Sequence, residues 1–284
     1  MDQNQPKADR LVKINRDDLI KLMNLYSPES PNNILGLSTI ANYIRWTENR
    51  SDLADVTFYS LNGDLTDGTF VFKEQFQVYG YSLCESNGKL ARLLNLLDYS
   101  NGVRFMHIRS KQYPIIVNLI NDRQMKRKVD HSNILYHIPK EIAMNLNVQL
   151  SDDFYMRSLI ADDVIEANNL WEYKYVGSDA FLLSLVKLNP SCGVFTKSSD
   201  ELVSFVFQNY TGPIGMLHTK SEYRGQGLAK AAIASICKDI GNVGYGVTAC
   251  VKPSNAASKA VFEKLGFRVI DCVYWVDTDS ALKE

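Results

Sequence analysis

The segment that most restricts the fold is SEYRGQGLAKAAIASICKDIGN, residues 221–242, which comes directly after the strand-like run TGPIGMLHT. Within it, Leu228 to Ile240 places Ala229, Ile233, Ile236 and Ile240 on one helical face, and Gly241 supplies a stop. The order is therefore strand, glycine-bearing turn, helix. Such a turn leaves the first backbone N–H groups of the helix without internal partners. Together with the helix dipole they make an anion site suited to a pyrophosphate. Gly225 and Gly227 keep side chains out of that site, and Arg224 adds a cation at its rim. A solvated turn whose glycines merely let the chain reverse fits the same spacing equally well. A Walker A loop is excluded because no Gly-Lys-Ser/Thr comes after it. The dinucleotide fingerprint is excluded by the glycine spacing and the hairpins that precede it.

The flanking segments extend the pattern. SCGVFTK and ELVSFVFQNY, separated by polar residues, read as a β-hairpin, and Thr211-Gly212-Pro213 turns the chain into the next strand. After the helix, YGVTACV reads as a strand, Lys252-Pro253 as a turn, and Ser254 or Asn255 as a helix cap. A short helix, a stop at Gly266 and a final strand complete the chain. Upstream, DDVIEANNLWEY and SDAFLLSLVKLNP read as helices.

Residues 1–150 alternate the same element types without a catalytic spacing. A polar arm runs to about residue 14, and helices over RDDLIKLM and ILGLSTIANYIRW come next. Strand-like runs DVTFYSL, GTFVFKEQFQVYGY, VRFMHIR and SNILYHI are interleaved with helices at 90–97 and YPIIVNLINDRQMK. The polar patches at 151–153 and 161–163 mark a junction, giving an N-terminal α/β domain over 1–150 and a second domain over 151–284.

Composition narrows the function classes. The 284 residues carry 31 Lys and Arg against 32 Asp and Glu, a formal charge of -1, which argues against a dedicated nucleic-acid binder or a protein held to anionic lipid by charge. The cysteines Cys84, Cys192, Cys237, Cys250 and Cys272 and the histidines His107, His131, His137 and His218 are scattered, so neither a disulfide framework nor a metal site is expected. No run approaches the roughly 18 apolar residues of a membrane span. The N-terminal stretch lacks a signal-peptide core, and a cytoplasmic, reduced protein is expected.

At the turn and the segment after it the chain resembles the GNAT superfamily of acyl-CoA-dependent N-acyltransferases. The superfamily's phosphate motif is matched by Arg224, Gly227 and Ala229, and its second signature by Asn255, Ser258, Lys264, Gly266 and Phe267. GPIGMLHTKSEYRGQGL, the preceding hairpin and HSNILYHIP look like the glycine N-acyltransferase-like family, loosely over nearly the whole chain. The resemblance implies an α/β (α+β) fold with a mixed sheet flanked by helices and splayed between the strand ending at Thr219 and the strand around Val247–Val251. The N-terminal half would be a second, degenerate copy that lacks the phosphate turn.

The resemblance also implies a ligand, acetyl-CoA or another acyl-CoA, and no metal. The pantetheine would pair along Leu217, His218 and Thr219, and the pyrophosphate would sit on Arg224, Gly225, Gln226, Gly227, Leu228, Ala229 and Lys230. Asn255, Ser258 and Phe262 would lie on the other wall. A primary amine, on a small molecule or a protein, would attack the thioester directly while a base takes its proton. The chain departs from the family where a proton-donating tyrosine is replaced by Phe262 and a glutamate base by Pro213. Replacement bases are His218 and Glu222; alternation also allows His218 a core or solvent position, and Glu222 a surface one. Cys250 reads as a buried thiol rather than a nucleophile. Tyr223 and Tyr274 are phenolic acids or packing residues, and Trp171 and Tyr173 pocket-lining or core. The alternative function is a catalytically weak acyl-CoA-binding or scaffold protein of the same fold, and the alternative to a cytoplasmic location, implied by the resemblance only, is a mitochondrial one.

Overall fold

The computed structural model describes residues 8–27, 31–49 and 56–279. In chain order the first elements are β1 (Leu11–Lys13), α1 (Arg16–Tyr26), α2 (Ile34–Asn49), β2 (Val56–Leu61), β3 (Phe70–Glu74), β4 (Gln77–Tyr81) and α3 (Gly88–Asn95). Next come β5 (Val103–Arg109), α4 (Tyr113–Asp122), β6 (Arg127–Ile138), α5 (Lys140–Met144), β7 (Phe154–Arg157), α6 (Asp163–Leu170) and α7 (Ser178–Leu188). The last are β8 (Ser191–Thr196), β9 (Leu202–Gln208), β10 (Ile214–Thr219), α8 (Leu228–Asn242), β11 (Val247–Val251), α9 (Ala256–Lys264) and β12 (Arg268–Thr278).

These elements gather into two compact units. The first takes its described residues from 1–28, 47–133 and 271–284, the second from 29–46 and 134–270. In the first unit β1, β2, β3 and β4 are neighbouring antiparallel strands, β4 pairs with β5 in parallel, and β5 pairs with β12 antiparallel. In the second, β7, β8, β9 and β10 are antiparallel neighbours, β10 pairs with β11 in parallel, and β11 pairs with β6 antiparallel. Both units thus have one topology. Four antiparallel strands lead through a crossover helix, α3 or α8, to a fifth parallel strand. The sixth strand comes from elsewhere in the chain: β12, the strand after α9, pairs with β5, and β6, the strand after α4, pairs with β11. The mixed α/β fold expected from the sequence is present, and the repeat of topology extends it to the N-terminal half.

Local chemistry explains some element starts. Asn15 caps α1 by accepting the Asp18 N–H at 2.9 Å, with Asp17 and Asp18 in the first turn. Pro114 lies in the first turn of α4, where its missing N–H costs nothing. Other starts depend on distant partners. Leu11–Lys13, expected inside a polar arm, is a strand because Leu11 pairs with Leu61 and the arm is tied down by Asp9 to Arg92. The single run GTFVFKEQFQVYGY becomes two strands because Gln75 turns in the left-handed region at φ 50. β7 begins right after the expected junction at 151–153 and pairs with β8 from Phe154 to Arg157.

Each unit has its own apolar core. In the first, Val78, Leu90, Leu93, Phe105, Ile116 and Ile120 pack between the strands and α3 and α4. In the second, Ile214, Ala249, Val206 and Tyr136 on the strands meet Ile233, Ile236, Phe262 and Phe267 of the helical side. Alternation along β11 assigns its faces: Val247, Ala249 and Val251 join that core, so Thr248 and Cys250 lie on the opposite face.

Candidate functional site

The site is built on β10 and on the turn and helix that continue from it. β9 and β10 are paired through Ile214 with Gln208, Gly215 with Phe207, His218 with Phe205 and Thr219 with Ser204. Between Gly215 and His218 the register shifts, and Met216 sits in the left-handed region at φ 48. A non-glycine residue there costs of order 1 kcal/mol or more, so this bulge is a maintained feature that bends the strand and re-aims its backbone groups. On its other side β10 is in parallel register with β11 at Ile214 and Ala249. Ile214 is buried, whereas Gly215 to Thr219 are all half-exposed. A strand central to a sheet is normally closed on both edges; here the pairing with β11 stops after one registered residue and leaves an accessible edge beyond it.

Beyond Thr219 a short 3₁₀ turn over Ser221–Tyr223 leads through Arg224 to α8. Gly225 and Gly227 both have φ 81, a conformation that favours glycine, and a Cβ at either would meet no atom within 4 Å. Gly227 is the N-cap of α8 and offers no side chain to the helix, and no acidic residue lies in the first turn. The first backbone N–H groups of α8 therefore open onto free space beside Arg224, Gly225 and Gln226, with half-buried Ala229 and Lys230 behind them and buried Leu228 anchoring the turn. Arg224 donates from Nε to the Thr219 carbonyl at 3.1 Å, which places the guanidinium at the end of β10.

The neighbouring charges are sorted by pairing. Lys220 donates to Glu166 at 2.6 Å and to Glu201 at 2.8 Å, and Tyr223 donates to Glu201 at 3.1 Å. Tyr223 is thereby a prop for this cluster. Glu222 is exposed, and hydrogen bonds from its own backbone N–H and from Ser221 hold its carboxyl below the usual value. A base for chemistry near neutrality needs the opposite shift, so Glu222 is poorly suited to that work. His218 stacks on Phe205, ring centroids 5.7 Å apart, and burial together with the Arg224 charge pulls its pKa below the usual imidazole value. It is held neutral and able to accept a proton.

On the facing side, Asn255 accepts the Ser258 N–H at 3.0 Å and caps α9. Phe262 is buried between Tyr136, 6.2 Å away, and Phe267, 5.1 Å away. The Tyr136 phenol is committed to Glu263 at 2.9 Å, and burial with that carboxylate pushes it up to about 12. Cys250 keeps part of its surface accessible yet is densely surrounded, and burial pushes its thiol well above the usual range, so it stays protonated. Trp171 stacks with Phe181, itself against Tyr210, while Tyr173 lies 4.0 Å under the Lys252 ammonium. Tyr274 stacks on Tyr113 and belongs to the first unit. The structure therefore brings Leu217, His218, Thr219 and residues 224–230 to one strand end and helix start. Sequence reasoning missed the Met216 bulge, the void at Gly215 and the Lys220 cluster, none of which carries a local signal.

Among the described residues no group of His, Cys, Asp and Glu is arranged to hold a metal, and no helix is long and apolar enough to cross a membrane.

Residues 191–276 match the family model described as FR47-like protein. No curated protein sequence matches the chain. Among solved structures, a Drosophila protein superposes with a TM-score of 0.85 at 21% identity, covering 96% of this chain and 100% of that one. A tandem GNAT protein from the clavulanic acid biosynthesis pathway gives 0.59 at 10% identity, over 98% of this chain and 100% of that one. A GCN5-related N-acetyltransferase from Sphaerobacter thermophilus gives 0.57 at 13% identity, over 98% of each. At these identities the likeness shows the fold alone, a mixed sheet flanked by helices that matches GNAT-fold proteins.

Proposed function

We propose that this chain is an acyl-CoA-dependent N-acyltransferase, with the chemistry in residues 151–284 and an N-terminal α/β domain over 1–150. It would move an acetyl or other acyl group from a coenzyme A thioester to a primary amine. The observation that carries the reading is the open anion cradle at the start of α8, set beside the exposed edge of β10. The family-model match across the same strands supports it. The run GPIGMLHTKSEYRGQGL supports the finer likeness to glycine N-acyltransferase-like proteins, and a cytoplasmic setting fits the reduced, scattered cysteines.

In this reading Gly225, Gln226, Gly227, Leu228, Ala229 and Lys230 hold the pyrophosphate through backbone N–H groups, and Arg224 adds its charge. Leu217, His218 and Thr219 flank the pantetheine. Asn255 and Ser258 stand on the other wall, and Phe262 supports that wall from the core. The amine attacks the thioester carbonyl, His218 takes its proton, and backbone donors of the bulged strand stabilise the oxyanion. Collapse breaks the C–S bond, and the proton held on His218 passes through water to the leaving coenzyme A thiolate, since Phe262 has none to give. The second reading, an acyl-CoA-binding or scaffold protein with weak catalysis, is favoured by Phe262, Pro213 and the ionised, exposed Glu222.

The test is a calorimetric titration with acetyl-CoA and with desulfo-coenzyme A, and then an assay of thiol release in the presence of amines. Micromolar binding of both ligands is expected. Binding without amine-dependent thiol release would select the second reading, and absence of binding by either ligand would overturn both.

A further inference from the structure

On the face of the second unit opposite α8, three observations converge. A Cβ added at Gly215 would meet nothing within 4 Å, and Gly215 is not in the left-handed region, so its missing side chain leaves real space rather than a strained turn. Thr248 is 1% exposed, and its Oγ1 has no hydrogen-bond partner among the described residues. A buried hydroxyl left unpaired is costly, so such a group calls for a partner beyond the described residues.

Strand register sets these groups on one surface. Gly215 pairs with Phe207 and His218 with Phe205, and the bulge between them keeps Gly215 and His218 on the same side. Parallel register at Ile214 and Ala249 brings the next residues, Gly215 and Cys250, side by side on that face, with Thr248 two positions inward. His137 lies across from Thr248 in the β6 register. Two strand positions span about 6.5 Å. The mouth has its own cover: Lys252, just past β11, rests over the Tyr173 ring at 4.0 Å, and the charges acting on His218 are Arg224 and Lys220 against Glu172 and Glu222.

We propose that this surface is the acceptor subsite, specific for a compact primary amine that carries an uncharged hydroxyl or amide a few bonds from its nitrogen. The inference rests on the acyltransferase reading. The amine nitrogen sits in the void at Gly215 near His218, drawn in by Glu172. The second polar group reaches inward to the Thr248 hydroxyl. The lining there is a hydroxyl, a protonated thiol and phenyl rings, and the two cations near His218 are already engaged, Arg224 by the Thr219 carbonyl and Lys220 by Glu166 and Glu201, so a carboxylate finds no cation committed to it. A lysine side chain of a protein would bring its nitrogen to the void but leave Thr248 unpaired. Sites built to hydrogen-bond a substrate hydroxyl discriminate strongly against analogues that lack it.

The test compares propanolamine with the isosteric butylamine, and a lysine peptide, as acceptors for acetyl-CoA, in the full chain and in Thr248→Val and Gly215→Val. The unaltered protein should prefer propanolamine over butylamine by at least about tenfold in kcat/KM. Thr248→Val should abolish that preference through the acceptor KM. Gly215→Val should weaken all three acceptors while the calorimetric Kd for acetyl-CoA stays within about twofold, which also shows that the variant is folded. Gly215→Ala, with a single added carbon, gives a graded second point. Acetyl-CoA binding with equal use of propanolamine and butylamine, or a preference that survives Thr248→Val, would overturn the subsite and leave the acyltransferase reading standing. Loss of acetyl-CoA binding in the unaltered protein would overturn both.

Discussion

The two units share a topology but treat its central strand differently. In the first unit β4 is buried along its whole length, Gln77 to Tyr81, whereas in the second the corresponding β10 is half-exposed from Gly215 onward. Side chains close the first: the Tyr79 ring packs at a tilt against Phe72 at 5.2 Å and lies 6.0 Å from His107, and Leu90 packs where a Cβ on Gly80 would come within 3.1 Å. The helix starts differ in the same sense. The N-caps of α3 and α8 are both left-handed, but α3 uses Asn87, preceded by Ser86 and Glu85, and α8 uses Gly227, preceded by Gln226 and Gly225. Asn87 is buried and Glu85 sets a negative charge near the α3 N-terminus; Gly225 and Gly227 leave the α8 N-terminus open. One fold thus supports either a packed core or a cleft, and a few residues at one strand and one turn decide which.

That contrast can be broken from either side. The largest effect is expected from Leu90→Ala, which empties the packed position against Gly80: a loss of about 2–5 kcal/mol in denaturant unfolding, with acetyl-CoA affinity unchanged. A matching loss of affinity would mean that the filled unit also takes part in binding. Next, Gly227→Glu places a strained, negatively charged side chain in the cradle and should weaken acetyl-CoA at least about 100-fold by calorimetry, roughly 2.7 kcal/mol. An unchanged Kd would remove the phosphate assignment.

The packed unit also predicts a pH dependence. His107, against Tyr79 and Trp275, is pushed by burial from 6.5 down to about 3. Above pH 6.5 both states are neutral and no penalty applies. As pH falls from 6.5 toward 3 the unfolded chain takes up a proton that the folded one refuses, so stability declines across that window. His107→Phe should flatten the decline in melting temperature between pH 6.5 and 4, and parallel slopes for the two proteins would contradict the assignment. The smallest effect is expected at the far wall of the site. Asn255→Ala removes the α9 cap and should cost about 1 kcal/mol in unfolding, with a modest loss of ligand affinity.

Features whose physics is local were legible from the residues alone. A strand, two closely spaced glycines and an amphipathic run beginning at Leu228 are enough to place a turn and a helix start there, because they belong to one stretch of about ten residues; the spacing alone fits an open cradle and a plain reversal equally. A helix cap at Ser254 or Asn255 was legible in the same way, and the structure selects Asn255. Features that depend on pairing over distance emerged only in three dimensions. The shift at Met216 arises from register against β9, and that shift determines that His218 faces the same side as Gly215. Lys220 is neutralised by Glu166 and Glu201, 54 and 19 residues away in the chain, which no local pattern reveals. Thr248 looks like an ordinary strand residue until alternation along β11 and its unpaired hydroxyl among the described residues mark it out. The sixth strand of each unit comes from another part of the sequence, because an open edge beside β5 or β11 is satisfied by whichever strand the whole chain brings to it.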